Sequence, residues 1–66
     1  MSPFTAYLLS ILDTLSRDLG GPVRSAVLAD MLGQPLRTTQ YYLALAEHHR
    51  LVTRRSPKTG WMPARV

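Results

Sequence analysis

Gln34-Pro35-Leu36-Arg37-Thr38-Thr39-Gln40-Tyr41-Tyr42-Leu43-Ala44-Leu45-Ala46-Glu47-His48-His49-Arg50 is the stretch on which the fold turns. At roughly one hundred degrees per residue, Leu36, Thr39, Tyr42, Leu43 and Ala46 share one broad side of a helix. Arg37, Thr38, Gln40 and Tyr41 take the other side and its flanks. The first side suits a small core. The second joins a guanidinium, two hydrogen-bonding side chains and a phenol, with no carboxylate among them. Such a set matches a polyanion with hydrogen-bonding edges, which is nucleic acid. A solvated face that happens to lack acids is the plainer reading, and the neighbouring segments weigh against it. Leu45 points away from this core side, close to Tyr41 and Thr38.

Upstream, Ser2-Pro3 is a helix start, with serine to cap the first amides and proline suited to the first helical position. Phe4, Leu8, Ile11, Leu12, Leu15 and Leu19 then form one apolar stripe, with Tyr7 and Leu9 on its margins. Leu9 is the apolar residue a monomer least needs. Gly20-Gly21-Pro22 ends this helix. Val23 is a lone apolar residue suited to a short extended segment. Arg24 or Ser25 caps a second helix, in which Val27, Leu28, Met31 and Leu32 make a compact apolar side, and Gly33 ends it. A helix this short must lie on its neighbours to persist. Gln34, preceding a proline, is a turn residue.

Downstream, Leu51-Val52-Thr53 is β-prone. Arg54-Arg55 follows, then the turn formers Ser56-Pro57-Lys58-Thr59-Gly60, then Trp61-Met62 as a return strand. A two-stranded hairpin is marginal alone, so this one must pack on the helices, with Trp61 as its anchor and Val52 or Leu51 beside it. The elements expected are helices over about 3–19, 24–32 and 35–49 and a hairpin at about 51–55 and 60–64. The expected core is Leu8, Ile11, Leu15, Val27, Leu28, Leu32, Leu43 and Trp61.

The chain of 66 residues reads as one domain, 1–66, with a thin core. It has no cysteine, so neither a disulfide nor a zinc–thiolate staple supports it. Its apolar runs are short, and no membrane span or secretory signal is expected. Charge is uneven. Residues 1–33 hold Arg17 and Arg24 against Asp13, Asp18 and Asp30, a net of −1; residues 34–66 hold Arg37, Arg50, Arg54, Arg55, Lys58 and Arg65 against Glu47, a net of +5, for the total of +4. Seven of the eight cations are arginine, whose planar fork suits phosphate and guanine. Polarisation toward one half points to a polyanion partner more than the total does. A basic tail serving solubility is the plain alternative.

The order helix, extended residue, helix, tight turn, helix, basic hairpin resembles the winged helix-turn-helix DNA-binding domains of bacterial and phage transcription regulators, over nearly the whole chain. Val27-Leu28-Ala29-Asp30-Met31-Leu32-Gly33 is similar to the family's second helix and turn. Thr38-Thr39-Gln40-Tyr41-Tyr42-Leu43 is similar to its recognition helix, and Glu47-His48-His49-Arg50-Leu51-Val52 to the lead into the wing. Arg50 stands where the family usually has glycine, Gln34 where an apolar turn residue is common, and Thr39 where valine is usual. Pro35 and Leu36 replace the usual serine cap and its follower. The resemblance implies a mainly α fold with a small β-hairpin, a three-helix winged helix-turn-helix.

Catalytic chemistry is not expected. Cysteine is lacking, and Ser2, Ser10, Ser16, Ser25 and Ser56 have no histidine near in sequence. His48 and His49 are adjacent, about one hundred degrees apart on a helix, and so are poorly placed to share a metal. Four glycines spread over three turns make no phosphate loop. No enzyme activity, cofactor or metal is therefore expected, and with no room for a separate ligand domain no small-molecule effector is expected either.

The leading expectation is a small transcription regulator, such as a repressor, that binds double-stranded DNA sequence-specifically. Its third helix enters the major groove with Arg37, Thr38, Gln40 and Tyr41 on bases or nearby phosphates. Arg54, Arg55 and Lys58 on the wing meet phosphates or the minor groove, and Ser25 joins them from the second helix. A homodimer on two half-sites and a cytoplasmic, nucleoid-associated location go with it. A second class stands beside it: a winged-helix adaptor that binds protein through Leu9, Leu45 and the tyrosines. Binding of RNA or single strands ranks last, with only Trp61 and Tyr41 to offer for stacking.

Overall fold

A computed structural model describes residues 2–56 and 60–64 of the chain. Three helices, α1 (Pro3–Leu19), α2 (Ser25–Leu32) and α3 (Leu36–His48), precede a two-stranded antiparallel sheet of β1 (Val52–Ser56) and β2 (Gly60–Pro63). This is the three-helix and hairpin layout of a winged helix-turn-helix.

Local chemistry sets the limits of each helix. The Ser2 side chain accepts a hydrogen bond from the Thr5 amide at 3.1 Å, satisfying an amide that α1 leaves open, and Pro3 starts the helix. Gly20 and Gly33 end α1 and α2 in left-handed conformation. Arg24 is the N-cap of α2, with no side-chain capping bond. Pro35 is the N-cap of α3, so that helix begins at Leu36.

The core is Leu8 and Leu12 of α1, Val23, Leu28 and Leu32 of α2, Leu43 and Ala46 of α3, Val52 and Trp61, all buried. Phe4, Leu9, Ile11, Leu15, Tyr42 and Leu51 pack around it, partly buried. Phe4 and Tyr42 meet with ring centroids 4.6 Å apart and tie the start of α1 to α3. Thr39 is fully buried, and its hydroxyl donates to the Pro35 carbonyl at 3.1 Å. A threonine therefore fills a valine-shaped place without leaving an unpaired polar atom.

Several expectations need correction. Val27 is 43% exposed and Met31 53%, so neither belongs to the core. The eight-residue α2 buries only Leu28, Ala29 and Leu32, a strip narrower than its apolar arc. Leu36 is exposed because Thr39, Leu43 and Ala46 direct the inward side of α3. Leu19, on the α1 stripe, is exposed at the last turn of that helix. Ile11 and Leu15 are half-buried at the rim of the core. Leu9 is partly buried against the core and is no free anchor. Leu45 is 40% exposed, in line with its expected direction.

Val23 decides how the hairpin docks. It bridges Trp61 through two backbone hydrogen bonds, Val23 N to Trp61 O and Trp61 N to Val23 O, both 2.8 Å. The α1–α2 connection thereby becomes a one-residue third strand. The β1–β2 register pairs Val52 with Pro63, Thr53 with Met62 and Arg54 with Trp61, and it shifts between Arg54 and Ser56. Gly60 comes so close to this bridge that a Cβ there would lie 2.4 Å from the Val23 carbonyl oxygen. Its φ of 98° is also one that side chains disfavour.

Gly60→Ala is expected to destabilise the domain by about 2–4 kcal/mol, because the added Cβ would meet backbone atoms of Val23 and Arg24, which cannot rotate away. Leu28→Ala or Leu43→Ala is expected to lose about 2–5 kcal/mol. Thermal denaturation followed by circular dichroism measures both. Wild-type melting in Gly60→Ala would contradict this docking, and wild-type melting in either leucine variant would contradict the core.

Candidate nucleic-acid interface

α3 buries Thr39, Leu43 and Ala46 and turns Arg37, Gln40 and Tyr41 outward, with Thr38 half-buried at a margin. The bare side follows from the sequence pattern: every inward position is apolar or a threonine whose hydroxyl donates to the Pro35 carbonyl. Glu47 is the one carboxylate on the helix, near its C-terminal end.

The wing supplies a second wall. Beside α3, a groove of 470 Å³ lies between the start of α2, the first turns of α3 and the hairpin, lined by Arg24, Ser25, Leu36, Gln40, Arg54 and Trp61 among others. Among the described residues, no carboxylate lines it. Arg54 and Trp61 are opposite each other in the β register, so their side chains share a sheet face. The Arg54 guanidinium carbon sits 5.0 Å from the Trp61 ring centroid, a cation–π contact that orients the cation without neutralising it. Under it, the Trp61 indole N–H donates to Ser25 Oγ at 3.1 Å. That bond occupies a lone pair of the hydroxyl and leaves its proton free to donate.

The arginines of this region are not consumed internally. Among the described residues the ion pair is Arg17–Asp13 at 2.7 Å, on the exposed side of α1. Arg24, Arg37 and Arg54 have no carboxylate within 4.0 Å there.

The expected site residues are thus partly gathered. Ser25, Gln40 and Arg54 line one groove, and Arg37 projects from the same bare side of α3. Tyr41 sits apart. It is 63% exposed and lines a second cleft of 530 Å³ toward the start of α1, with Ser2, Thr5, Tyr42, Leu45 and His49 among its neighbours. The Arg55 side chain and Lys58 lie outside the described residues. Sequence reading assigned Arg24 only to helix capping; a cation at the mouth of the groove was legible from its place beside the start of α2. The exposure of Leu36 within the groove had no sequence signal, since its spacing placed it with the core residues.

His48 and His49 meet edge to face, 5.4 Å between ring centroids, at the exposed end of α3. Trp61 is 4% exposed, so it forms part of the core and offers no open face for base stacking. Among the described residues, no helix is long and apolar enough to cross a membrane. Comparison with protein-family models, with curated proteins and with solved structures finds no match to this chain.

Ser25→Ala is expected to destabilise the protein by about 1–3 kcal/mol, because it strands a buried indole N–H. A fall of several degrees in melting temperature checks this. An unchanged melting temperature would mean that the Trp61–Ser25 bond does not hold the wing to α2.

Proposed function

We propose that the protein binds double-stranded DNA sequence-specifically and acts as a small transcription regulator, a repressor in the simplest case. The observation that carries this reading is the carboxylate-free groove, where Arg24, Gln40 and Arg54 from three elements converge beside the bare side of α3. Cations without internal partners release condensed counterions from a duplex, which gives affinity. Gln40 and Arg37 project from a helix of a width that the major groove admits, and these side-chain types read adenine and guanine edges. Arg24, Arg54 and the wing residues Arg55 and Lys58 hold phosphates and so fix the register. A single module reads few base pairs, so a homodimer on two half-sites about one helical turn apart completes the proposal. The working place of such a protein is the cytoplasm, on the nucleoid.

A protein-binding adaptor is the second reading. It is favoured by the exposure of Tyr41 and Leu45 along the cleft toward α1. It has lost Leu9 as an anchor, since that residue packs on the core.

The two readings part under substitution. Arg54→Ala combined with Lys58→Ala is expected to weaken binding to every duplex and to reduce the salt slope by roughly one unit per lost phosphate contact. Arg37→Ala or Gln40→Ala is expected to lose about 1–3 kcal/mol on the preferred site and to relax preference at one or two base pairs. Fluorescence titration against genomic fragments at several salt concentrations measures all of these. Equal affinity for every fragment at near-physiological salt would leave the adaptor as the standing reading.

A further inference from the structure

The three helices of this chain end in the same way, with one difference. In each, an amide reaches back five residues to close the last turn: Gly21 N to Ser16 O at 3.1 Å, Gln34 N to Ala29 O at 3.0 Å and Leu51 N to Ala46 O at 2.9 Å. In each, the residue before that amide is left-handed. In α1 and α2 it is glycine, Gly20 at φ 72° and Gly33 at φ 65°; after α3 it is Arg50, at φ 61°. Arg50 is the one non-glycine with positive φ among the described residues. Glycine does this task without steric strain, and arginine does it against the crowding of its Cβ.

Arg50 is exposed, and no carboxylate lies within 4.0 Å of it among the described residues, although Glu47 is three residues away on the same chain. The strained position is therefore not occupied for an internal ion pair. α3 has thirteen residues and is about 20 Å long, whereas the major groove is about 12 Å wide. If the N-terminal turns of α3 meet base edges, its C-terminal end emerges over the flanking strand. A cation there faces phosphate.

We propose that Arg50 is a phosphate-contacting residue at the C-terminal end of α3, its guanidinium donating to phosphodiester oxygens of the duplex strand that flanks the groove. The left-handed backbone is the stability lost in placing that charge. The inference rests on the duplex-binding reading above. A cation also interacts favourably with the carbonyl end of a helix, so a purely structural role must be separated from a binding one.

Three variants separate them: Arg50→Gly removes strain and charge, Arg50→Asn removes charge but keeps a residue tolerant of left-handed φ, and Arg50→Lys keeps the charge. The probe is a short mixed-sequence duplex, titrated at several salt concentrations, with melting temperature recorded for each variant. Arg50→Gly is expected to melt roughly 2–6 °C higher than wild type, as released strain outweighs the lost charge–dipole interaction. Arg50→Gly and Arg50→Asn are both expected to bind about 3–10-fold more weakly at low salt. Their slope of log affinity against log salt is expected to shrink by about 0.9, the value for one phosphate contact, while Arg50→Lys keeps the wild-type slope. Wild-type protein that binds the duplex while Arg50→Gly and Arg50→Asn retain its slope would overturn the inference and leave the duplex reading intact. Wild-type protein that does not bind the duplex at all would overturn both.

Discussion

The structure depends on the place where Val23 and Trp61 exchange two backbone hydrogen bonds. Without that bridge the hairpin is a two-stranded ribbon on a short tether, which is marginal in water. With it, the connection between α1 and α2 becomes part of the sheet, and the wing is fixed against the start of α2. The terms differ in size. Each backbone bond contributes about 1 kcal/mol net. Burying an indole of 150–250 Å² contributes roughly 4–6 kcal/mol as an upper estimate. Burial of Trp61 therefore holds the wing, and the hydrogen bonds, including Nε1 to Ser25, decide its orientation. The position of Arg54 follows, since it lies over the same ring. Core and candidate interface share one side chain, buried on one side and carrying a cation on the other.

Much of this arrangement was legible in the sequence because it rests on local chemistry. Ser2-Pro3 at the start of α1, the glycines after α1 and α2, the extended Val23 and the anchoring role of Trp61 follow from capping, left-handed conformations and the need of a small hairpin for support. Illegible features depend on contacts between distant elements. Helical spacing marks Val27, Met31 and Leu36 as apolar positions but does not say how much of each arc a partner covers. The short α2 is covered along one strip, and Leu36 lies beyond the inward line of α3. Gly60 reads as an ordinary turn residue; its necessity comes from the Val23 carbonyl, which only the folded chain brings against it.

The candidate site divides along the same line. That α3 has a bare, acid-free side was visible from residue order alone. That Gln40 falls toward the wing and Tyr41 toward α1 was not, because it depends on where the hairpin docks. Arg24 gains its place in the groove from the bridge next to it, since Val23 is its neighbour in the chain. Two surfaces thus flank α3: a polar groove with arginines on the wing side, and a cleft with tyrosines and Leu45 on the α1 side. Unpartnered guanidinium groups suit the first to a polyanion. The second, lined by Ser2, Thr5, two tyrosines, Leu45 and His49 among others, is the surface that the adaptor reading would use. The two readings of function thus draw on different flanks of a single helix.

The most direct measurement is a map of backbone amide shifts on titration with a duplex selected from a random-sequence library at near-physiological salt. The account predicts that such a duplex exists, binds better than the unselected pool, and perturbs Arg37, Gln40, Arg24 and Arg54 most. Failure of selection to enrich any sequence, or shifts confined to Ser2, Thr5, Tyr42, Leu45 and Leu51, would contradict it.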